Sequence, residues 1–227
     1  MNKFTKAGIA GLFLSLTAVL ASCGGSSTST TDTAAVTADV YPVTVGDLTL
    51  EAQPVSIISL SPTATEMLYA IGAGSQVVAV DEYSNFPAEA VALGTTLSGF
   101  EPNIEAISGY SPDLVIISYD PGSLVEQLGT LNIPVFVAGA AMSLENVYEQ
   151  IEQLGVLTGH SQAAIEVSKT LQTGIEDAVA SVKFAEPPLS YYYELDNTYY
   201  SVTSNTFVGQ IFNLFGMRNI ADNVESG

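Results

Sequence analysis

Two side chains of types that often carry chemistry occur only once in this sequence. Cys23 is the single thiol and His160 the single imidazole among the 227 residues. One cysteine excludes an internal disulfide framework and a four-thiolate metal centre, and one histidine argues against a multi-histidine metal site. No G-x-S-x-G or H-E-x-x-H segment occurs and no nucleophile–base pair stands out, so a secreted hydrolase has weak support. These absences argue against an enzyme and against a resident metal cofactor, and His160 is expected in a surface or capping role, with metal ligation as the alternative.

Cys23 ends a segment that is typical of an export signal. Two lysines precede an apolar, charge-free stretch over residues 7–20, which is short for a membrane-spanning helix. The LASC sequence ending at Cys23 resembles the lipobox of bacterial lipoproteins. That resemblance implies cleavage before Cys23, a lipid on its sulfur and an extracytoplasmic protein anchored to the cell membrane. An ordinary signal peptide with an incidental cysteine is the alternative.

The charge of the chain restricts its partners. It has 24 acidic and 5 basic side chains, for a formal net charge of −19. Beyond the signal segment, only Lys169, Lys183 and Arg218 are basic. Such a surface repels phosphate backbones, so nucleic-acid binding is excluded.

Strand and helix signals alternate along the chain and predict an α/β fold. Short β-branched runs at 55–60, 77–80, 114–118 and 134–138 are separated by helical segments, which favours a parallel sheet. Apolar residues then recur at helical spacing from Ser143 to Val182, with one possible break at Gly159. We expect two lobes joined by a long backbone helix, with the second lobe incomplete. The predicted divisions are a signal peptide (1–22), a flexible Ser/Thr-rich tether (23–53), an N-terminal lobe (54–142), a connecting helix (143–184) and the start of a C-terminal lobe (187–227).

Local signals also predict how several elements begin. Ser61 and Pro62 offer an N-cap and a first helical position after the first strand. Ser123 and Glu126 have capping-box spacing before another helix. Tyr191–Leu195 and Tyr199–Val202 are predicted as two strands around a turn, followed by a helix from about Thr206 to Phe215.

Four segments carry a resemblance to a known family. They are VSIISLSPTATEMLYAIGAGSQVVAV, EYSNFP, FEPNIEAISGYSPDLVIIS and TFVGQIFNLFGMRNIAD, and together they span residues 54 to about 222. In this order they resemble the substrate-binding proteins of ABC importers for iron siderophores, haem and cobalamin. The resemblance implies two lobes that hold a small-molecule ligand between them, in a monomer that docks on a permease and through it serves an ATPase. Because family members carry further strands and helices, the chain is expected to be truncated at its C-terminus.

The same resemblance implies ligand contacts in both lobes, at Ser61, Pro62, Tyr83, Phe100, Tyr119, Tyr193 and Glu194. Plain helix capping is the alternative for Ser61 and Pro62, and core packing is the alternative for Tyr119 and Tyr193. Relatives dock on the permease through one acidic residue in each lobe. Asp120 or Glu126 lies near the first-lobe position, and Asn205 stands where the second-lobe acid would fall.

The scarcity of basic residues bears on the ligand. Haem propionates and catecholate siderophores are usually held by basic side chains, whereas aromatic and neutral groups dominate the candidate positions. A large neutral or cationic ligand is therefore expected, with a cobalamin-like corrinoid first and a hydroxamate siderophore second. A haem receptor of the same family and an extracytoplasmic sensor with the same fold remain as alternatives.

Overall fold

The computed structural model describes residues 39–223, so the predicted signal peptide, the LASC sequence with Cys23 and most of the tether lie outside the described residues. Within this range the strands are β1 (Val43–Val45), β2 (Leu48–Leu50), β3 (Ile57–Leu60), β4 (Val77–Val80), β5 (Leu114–Ile117), β6 (Val135–Val137), β7 (Ser190–Tyr191) and β8 (Arg218–Asn219). The α-helices are α1 (Pro62–Ala70), α2 (Ala88–Val91), α3 (Ile104–Ser108), α4 (Leu124–Thr130), α5 (Leu144–Thr158), α6 (Ser161–Ala180) and α7 (Phe207–Leu214). Among these residues, no helix combines the length and the apolar character needed to cross a membrane.

Four parallel strands form the sheet of the first lobe, in the order β4–β3–β5–β6. Every residue of β3 and β5 is buried, as expected for central strands that helices cover on both faces. Successive residues belong to opposite faces: Ile57 packs in a cluster with α1 and α5, whereas Ile58 packs with Leu124 and Leu128 of α4. This arrangement confirms the α/β prediction.

One of the two predicted helix caps is present. The Ser61 hydroxyl accepts a hydrogen bond from the Ala64 N–H at 3.3 Å, and Pro62 is the first residue of α1. The cap predicted at Ser123 is wrong, because this residue has a φ of 62° and its side chain makes no capping bond. Asp120 supplies the bond instead, since its Oδ1 accepts from the Val125 N–H at 3.1 Å.

Strands are present before the predicted boundary at residue 54. Strands β1 and β2 form an antiparallel hairpin within the segment expected to be a flexible tether, and Leu50 is buried against the first-lobe core. The hydroxyl of Tyr41 donates to the Leu157 carbonyl at 3.0 Å. Burial raises the pKa of Tyr41 to about 12, so the phenol keeps the proton that it donates. The tether prediction for residues 39–53 is therefore wrong, and it missed the alternating pattern VTVGDLTL around a Gly-Asp turn, which is typical of a hairpin.

The connecting helix predicted over 143–184 needs correction at Gly159, the possible break, because it consists of two helices and the longer one begins only at Ser161. Two helices, α5 and α6, pack against each other as an antiparallel pair and turn at Gly159, which has a φ of 78°. Gly155 of α5 contacts Ala164 of α6 so closely that a Cβ on Gly155 would overlap the Ala164 side chain. Helical periodicity continues through both segments. The sequence therefore indicates a break at Gly159 but not that the chain reverses its direction there.

His160 occupies the cap position of α6, but its side chain makes no capping bond. The Asp39 carboxylate accepts from the Ser161 N–H at 3.1 Å and caps the helix in its place. The half-buried His160 ring lies with Nδ1 2.9 Å from the Thr158 carbonyl oxygen. The capping role predicted for His160 therefore belongs to a residue of the N-terminal segment.

The part beyond α6 contains α7 between two short parallel strands, β7 and β8. Helix α7 confirms the helix predicted over 206–215, and Thr206 caps it by accepting from the Gly209 N–H at 3.1 Å. The strand pair predicted at 191–195 and 199–202 is largely wrong. Only Glu194 and Ser201 form an antiparallel bridge there, and Tyr191 pairs with Asn219 in the parallel ladder instead.

Candidate ligand-binding cleft

Aromatic side chains collect where the parallel strands of the first lobe end. Tyr83 follows β4 and Tyr119 follows β5, and Phe100 lies between their rings. The ring centroids of Tyr83 and Phe100 are 5.5 Å apart at an interplanar angle of 82°, and those of Phe100 and Tyr119 are 6.3 Å apart. Because the carboxyl ends of parallel strands share one edge, loops that are distant in sequence meet there. We call these three residues the aromatic row.

The aromatic row is open to solvent although it is largely apolar. The exposed fractions are 54% for Tyr83, 62% for Phe100 and 44% for Tyr119. Adjacent exposed aromatic rings are typical of ligand-binding surfaces and interfaces. The core-packing alternative for Tyr119 is therefore not supported by its burial.

Two neighbouring cavities lie along the row. The first, which we call the aromatic cavity, has a volume of about 280 Å³ and is lined by Leu60, Pro62, Asp81, Tyr83, Gly99, Phe100, Ser118 and Tyr119. The second has a volume of about 620 Å³ and is lined by Ser61, Thr63, Ala64, Met67, Ser118, Tyr119, Ala138, Gly139, Ala140, Ala141, Val147, Gln150 and Phe207. Since Ser118 and Tyr119 line both cavities, the two are adjacent, and we call them together the cleft.

The predicted ligand contacts divide into two groups. Ser61, Pro62, Tyr83, Phe100 and Tyr119 line the cleft. Tyr193 and Glu194 line neither cavity. The Tyr193 ring lies 6.0 Å from that of Phe212, and Glu194 is bridged to Ser201. The residue of the second lobe that does line the cleft is Phe207, at the start of α7, which sequence reasoning missed.

Asp81 is a second residue that sequence reasoning missed. It directly follows β4, lines the aromatic cavity and is only 4% exposed. Burial raises the pKa of the Asp81 carboxyl above its usual value, and hydrogen bonding by Ser84 opposes the shift. Its position immediately after a buried apolar strand is a weak sequence signal, because most acidic residues at such positions are solvated.

A chain of buried hydroxyl groups connects Asp81 to the start of α1. The Ser84 hydroxyl lies 2.6 Å from Asp81 Oδ1 and 2.9 Å from the Thr65 hydroxyl. The Thr65 hydroxyl lies 2.8 Å from that of Ser59, which in turn lies 3.2 Å from the Ser61 carbonyl oxygen. All these residues are buried, so the chain fixes the geometry beneath the cleft.

The electrostatic environment of the cleft lacks basic groups from the first lobe. No lysine or arginine occurs between residues 7 and 168. The two candidate docking acids lie elsewhere, since Asp120 caps α4 and Glu126 lines a separate surface groove with Gln127 and Leu131. Within residues 39–223, no group of three or more His, Cys, Asp or Glu side chains is arranged to hold a metal ion.

Comparisons with known proteins agree with the fold. The family described as "Periplasmic binding protein" matches residues 57–226. An uncharacterized ABC transporter substrate-binding lipoprotein of Bacillus subtilis is 28% identical, over 95% of this chain and 73% of that protein. A cobalamin-binding protein of Halobacterium salinarum is 31% identical over 82% of this chain, which spans about half, 53%, of that relative. The crystal structure of the periplasmic vitamin B12 binding protein of Vibrio cholerae matches with a TM-score of 0.62 and 27% identity, over 76% of this chain and 68% of that one.

Proposed function

This chain belongs to the periplasmic binding protein family, and from that premise we propose that it is a lipid-anchored receptor that captures a corrinoid and delivers it to an ABC importer. Proteins of this family bind and hand over a substrate and catalyse no reaction. The ligand would lie in the cleft between the aromatic row and Phe207. The permease and its ATPase would be the protein partners.

The observation that carries the ligand class is the aromatic row in a lobe without basic residues. Three adjacent exposed rings offer flat apolar area to a large ring system, and the phenol groups of Tyr83 and Tyr119 add polar tips. An anionic ligand would enter the aromatic cavity beside the buried carboxyl of Asp81 without a first-lobe cation to offset its charge. These features favour a neutral or cationic ligand over haem propionates and catecholates.

A corrinoid satisfies these requirements. Its macrocycle is broad and its edge carries neutral primary amides, which need hydrogen-bond partners rather than cations. A volume of about 620 Å³ in one of two adjacent cavities is within the range typical of small-molecule sites. The names of the relatives from Halobacterium salinarum and Vibrio cholerae support the same choice.

Titration calorimetry on the full chain, with cyanocobalamin, haem and a ferric catecholate as separate ligands, tests this assignment. We expect cyanocobalamin to bind most tightly and Tyr83→Ala to weaken it at least about tenfold, a typical loss for an aromatic contact at a binding site. Tyr110→Ala is the matched control, because Tyr110 is 41% exposed and lines neither cavity. Tighter binding of the anionic ligands would overturn the corrinoid assignment.

Lipid anchoring is proposed from the LASC sequence and is supported by the lipoprotein name of the Bacillus subtilis relative. Cys23→Ala should release the protein from the membrane fraction and abolish incorporation of labelled lipid. The matched control is Ser22→Ala, which keeps the thiol and a small residue before it. If the Cys23 variant stays with the membrane and carries as much lipid as the unchanged protein, the anchoring proposal fails.

A further inference from the structure

Asp81 is the only acidic residue among those that line the aromatic cavity, and its side chain is almost fully buried. Oδ1 is held by the Ser84 hydroxyl, whereas Oδ2 faces Gly99. A Cβ on Gly99 would lie 3.1 Å from Oδ2 and 2.8 Å from the Leu60 carbonyl oxygen. The glycine therefore leaves space beside Oδ2 that any larger residue would occupy.

Counting protons shows what the buried hydroxyl chain requires of Asp81. Four contacts connect the carboxyl, the three hydroxyl groups of Ser84, Thr65 and Ser59, and the Ser61 carbonyl. Three hydroxyl protons cannot satisfy four hydrogen bonds, so one contact lacks a proton while Asp81 is ionised. A proton on Asp81 completes a continuous series in which each group donates to the next.

The ionised form also lacks a cation. The charged residue that acts on Asp81 is Glu82, whose negative charge opposes ionisation, and the N–H groups of Ser84 and Tyr83 favour it only in part. The Ser59 carbonyl of β3, the Ser84 hydroxyl and Gly99 next to Asp81 are uncharged, and no lysine or arginine occurs between residues 7 and 168. A cationic hydrogen-bond donor on a ligand would supply the positive charge that these neighbours of Asp81 lack.

We propose that Asp81 determines the specificity of the cleft by accepting a hydrogen bond from an amide or cationic nitrogen of the ligand and by excluding ligand carboxylates. The neutral acid and the carboxylate can both accept such a bond at Oδ2, and a cationic donor favours the carboxylate. A carboxylate placed there would face either a second negative charge or a proton already donated to Ser84. This role rests on the proposed function in taking a corrinoid amide as the natural donor.

Small aromatic probes test Asp81 without reference to the natural ligand. Benzamidinium and benzoate have similar size but opposite charge, and only benzamidinium carries N–H donors. In an NMR titration of the full chain, benzamidinium should bind at least about tenfold more tightly than benzoate, the factor expected for a charge-assisted hydrogen bond. Asp81→Asn should bring the two probes within about threefold. Glu82→Gln is the matched control, because it removes the same charge from an exposed neighbour outside the cavity, and it should keep the preference.

A second NMR measurement, on the unchanged protein, tests the role of Asp81 even if the Asp81 variant fails to fold. The ¹³Cγ resonance of Asp81 in the unchanged protein should move with benzamidinium and stay in place with benzoate. Equal binding of both probes, binding of neither, or an unmoved Asp81 resonance overturns the role of Asp81.

Cyanocobalamin then separates this role from the proposed function. If it fails to bind while benzamidinium moves the Asp81 resonance, the corrinoid assignment fails and the role of Asp81 holds. If it binds the unchanged protein and Asp81→Ala, which lacks an acceptor oxygen, equally well, the assignment holds and the role of Asp81 fails. Weaker binding to Asp81→Ala, by about tenfold, supports both.

Discussion

The close contact between α5 and α6 predicts opposite effects for the same substitution at two glycines. A Cβ on Gly155 would overlap the Cβ of Ala164 and lie 3.2 Å from both the His160 carbonyl oxygen and the Ser161 Cα. These neighbours are backbone atoms or a methyl group without rotatable bonds, so the two helices would have to move apart. A Cβ on Gly174 of α6 would meet no atom within 4 Å.

The magnitude follows from two opposing effects. Alanine stabilises a helix interior by about 1 kcal/mol relative to glycine, and this gain applies at both positions. Overpacking of a tight contact costs about 1–3 kcal/mol and applies only at Gly155. Gly174→Ala should therefore raise the free energy of unfolding by about 1 kcal/mol, and Gly155→Ala should lie about 1–3 kcal/mol below it.

Urea unfolding followed by circular dichroism measures this difference, provided that the two variants have equal m-values. Because the helix-propensity gain is common to both, the difference between the variants isolates the cost of the contact. If Gly155→Ala is as stable as Gly174→Ala, the two helices are not packed as closely as described, and the reasoning is refuted.

Three further predictions concern residues of the fold and the cleft. Burial raises the pKa of Asp81, so the folded chain keeps the proton at pH values where the unfolded chain has released it, and the free energy of unfolding should fall as pH rises from about 4 through the folded pKa. Urea titrations at several pH values should show that Asp81→Asn loses this pH dependence. An unchanged pH dependence in the variant would contradict the prediction. Asp39→Ala should cost about 1 kcal/mol through the lost cap of α6, whereas Asp47→Ala in the hairpin turn should have little effect, with equal losses arguing against the cap. Asp120→Ala should also cost about 1 kcal/mol, because it removes the cap of α4. Ser123→Gly should not destabilise α4, because a φ of 62° suits glycine. If thermal unfolding shows that Ser123→Gly is the less stable variant, Ser123 is the cap after all.

The strands and helices of the first lobe could be predicted because each depends mainly on the residue types within it. The runs that form β3 and β5 are rich in β-branched residues and buried on both faces. Ser61 and Pro62 are residue types that favour the N-cap and the first position of a helix. Tyr83, Phe100 and Tyr119 were predicted through the family resemblance, and the sheet edge brings them together. The capping signal at Ser123 failed because Ser123, like Gly122 before it, adopts a left-handed backbone conformation, which is uncommon for a serine.

The features that could not be predicted depend on contacts between distant parts of the chain. Helical periodicity records which face of α6 is apolar but not the direction in which α6 runs after Gly159. Strands β1 and β2 are an exception, because the alternating sequence VTVGDLTL around a Gly-Asp turn could have predicted the hairpin but not its docking on the turn between α5 and α6. Asp81 became a candidate only when its burial and its hydroxyl partners were known, because an acidic residue after a strand is usually a solvated loop residue.

The N-terminal segment has a consequence for the order in which the protein folds. Asp39, Tyr41 and Gln53 bond to residues 122, 116 and 105 positions further along the chain, all at the turn between α5 and α6. Their partners do not form a surface until that turn has formed, so the segment is synthesised before its partners and can dock only after them. Such late, non-local closure adds to the contact order and slows folding. The same bonds should be the first to open in the native state, which makes this segment the place where hydrogen exchange and proteolysis begin.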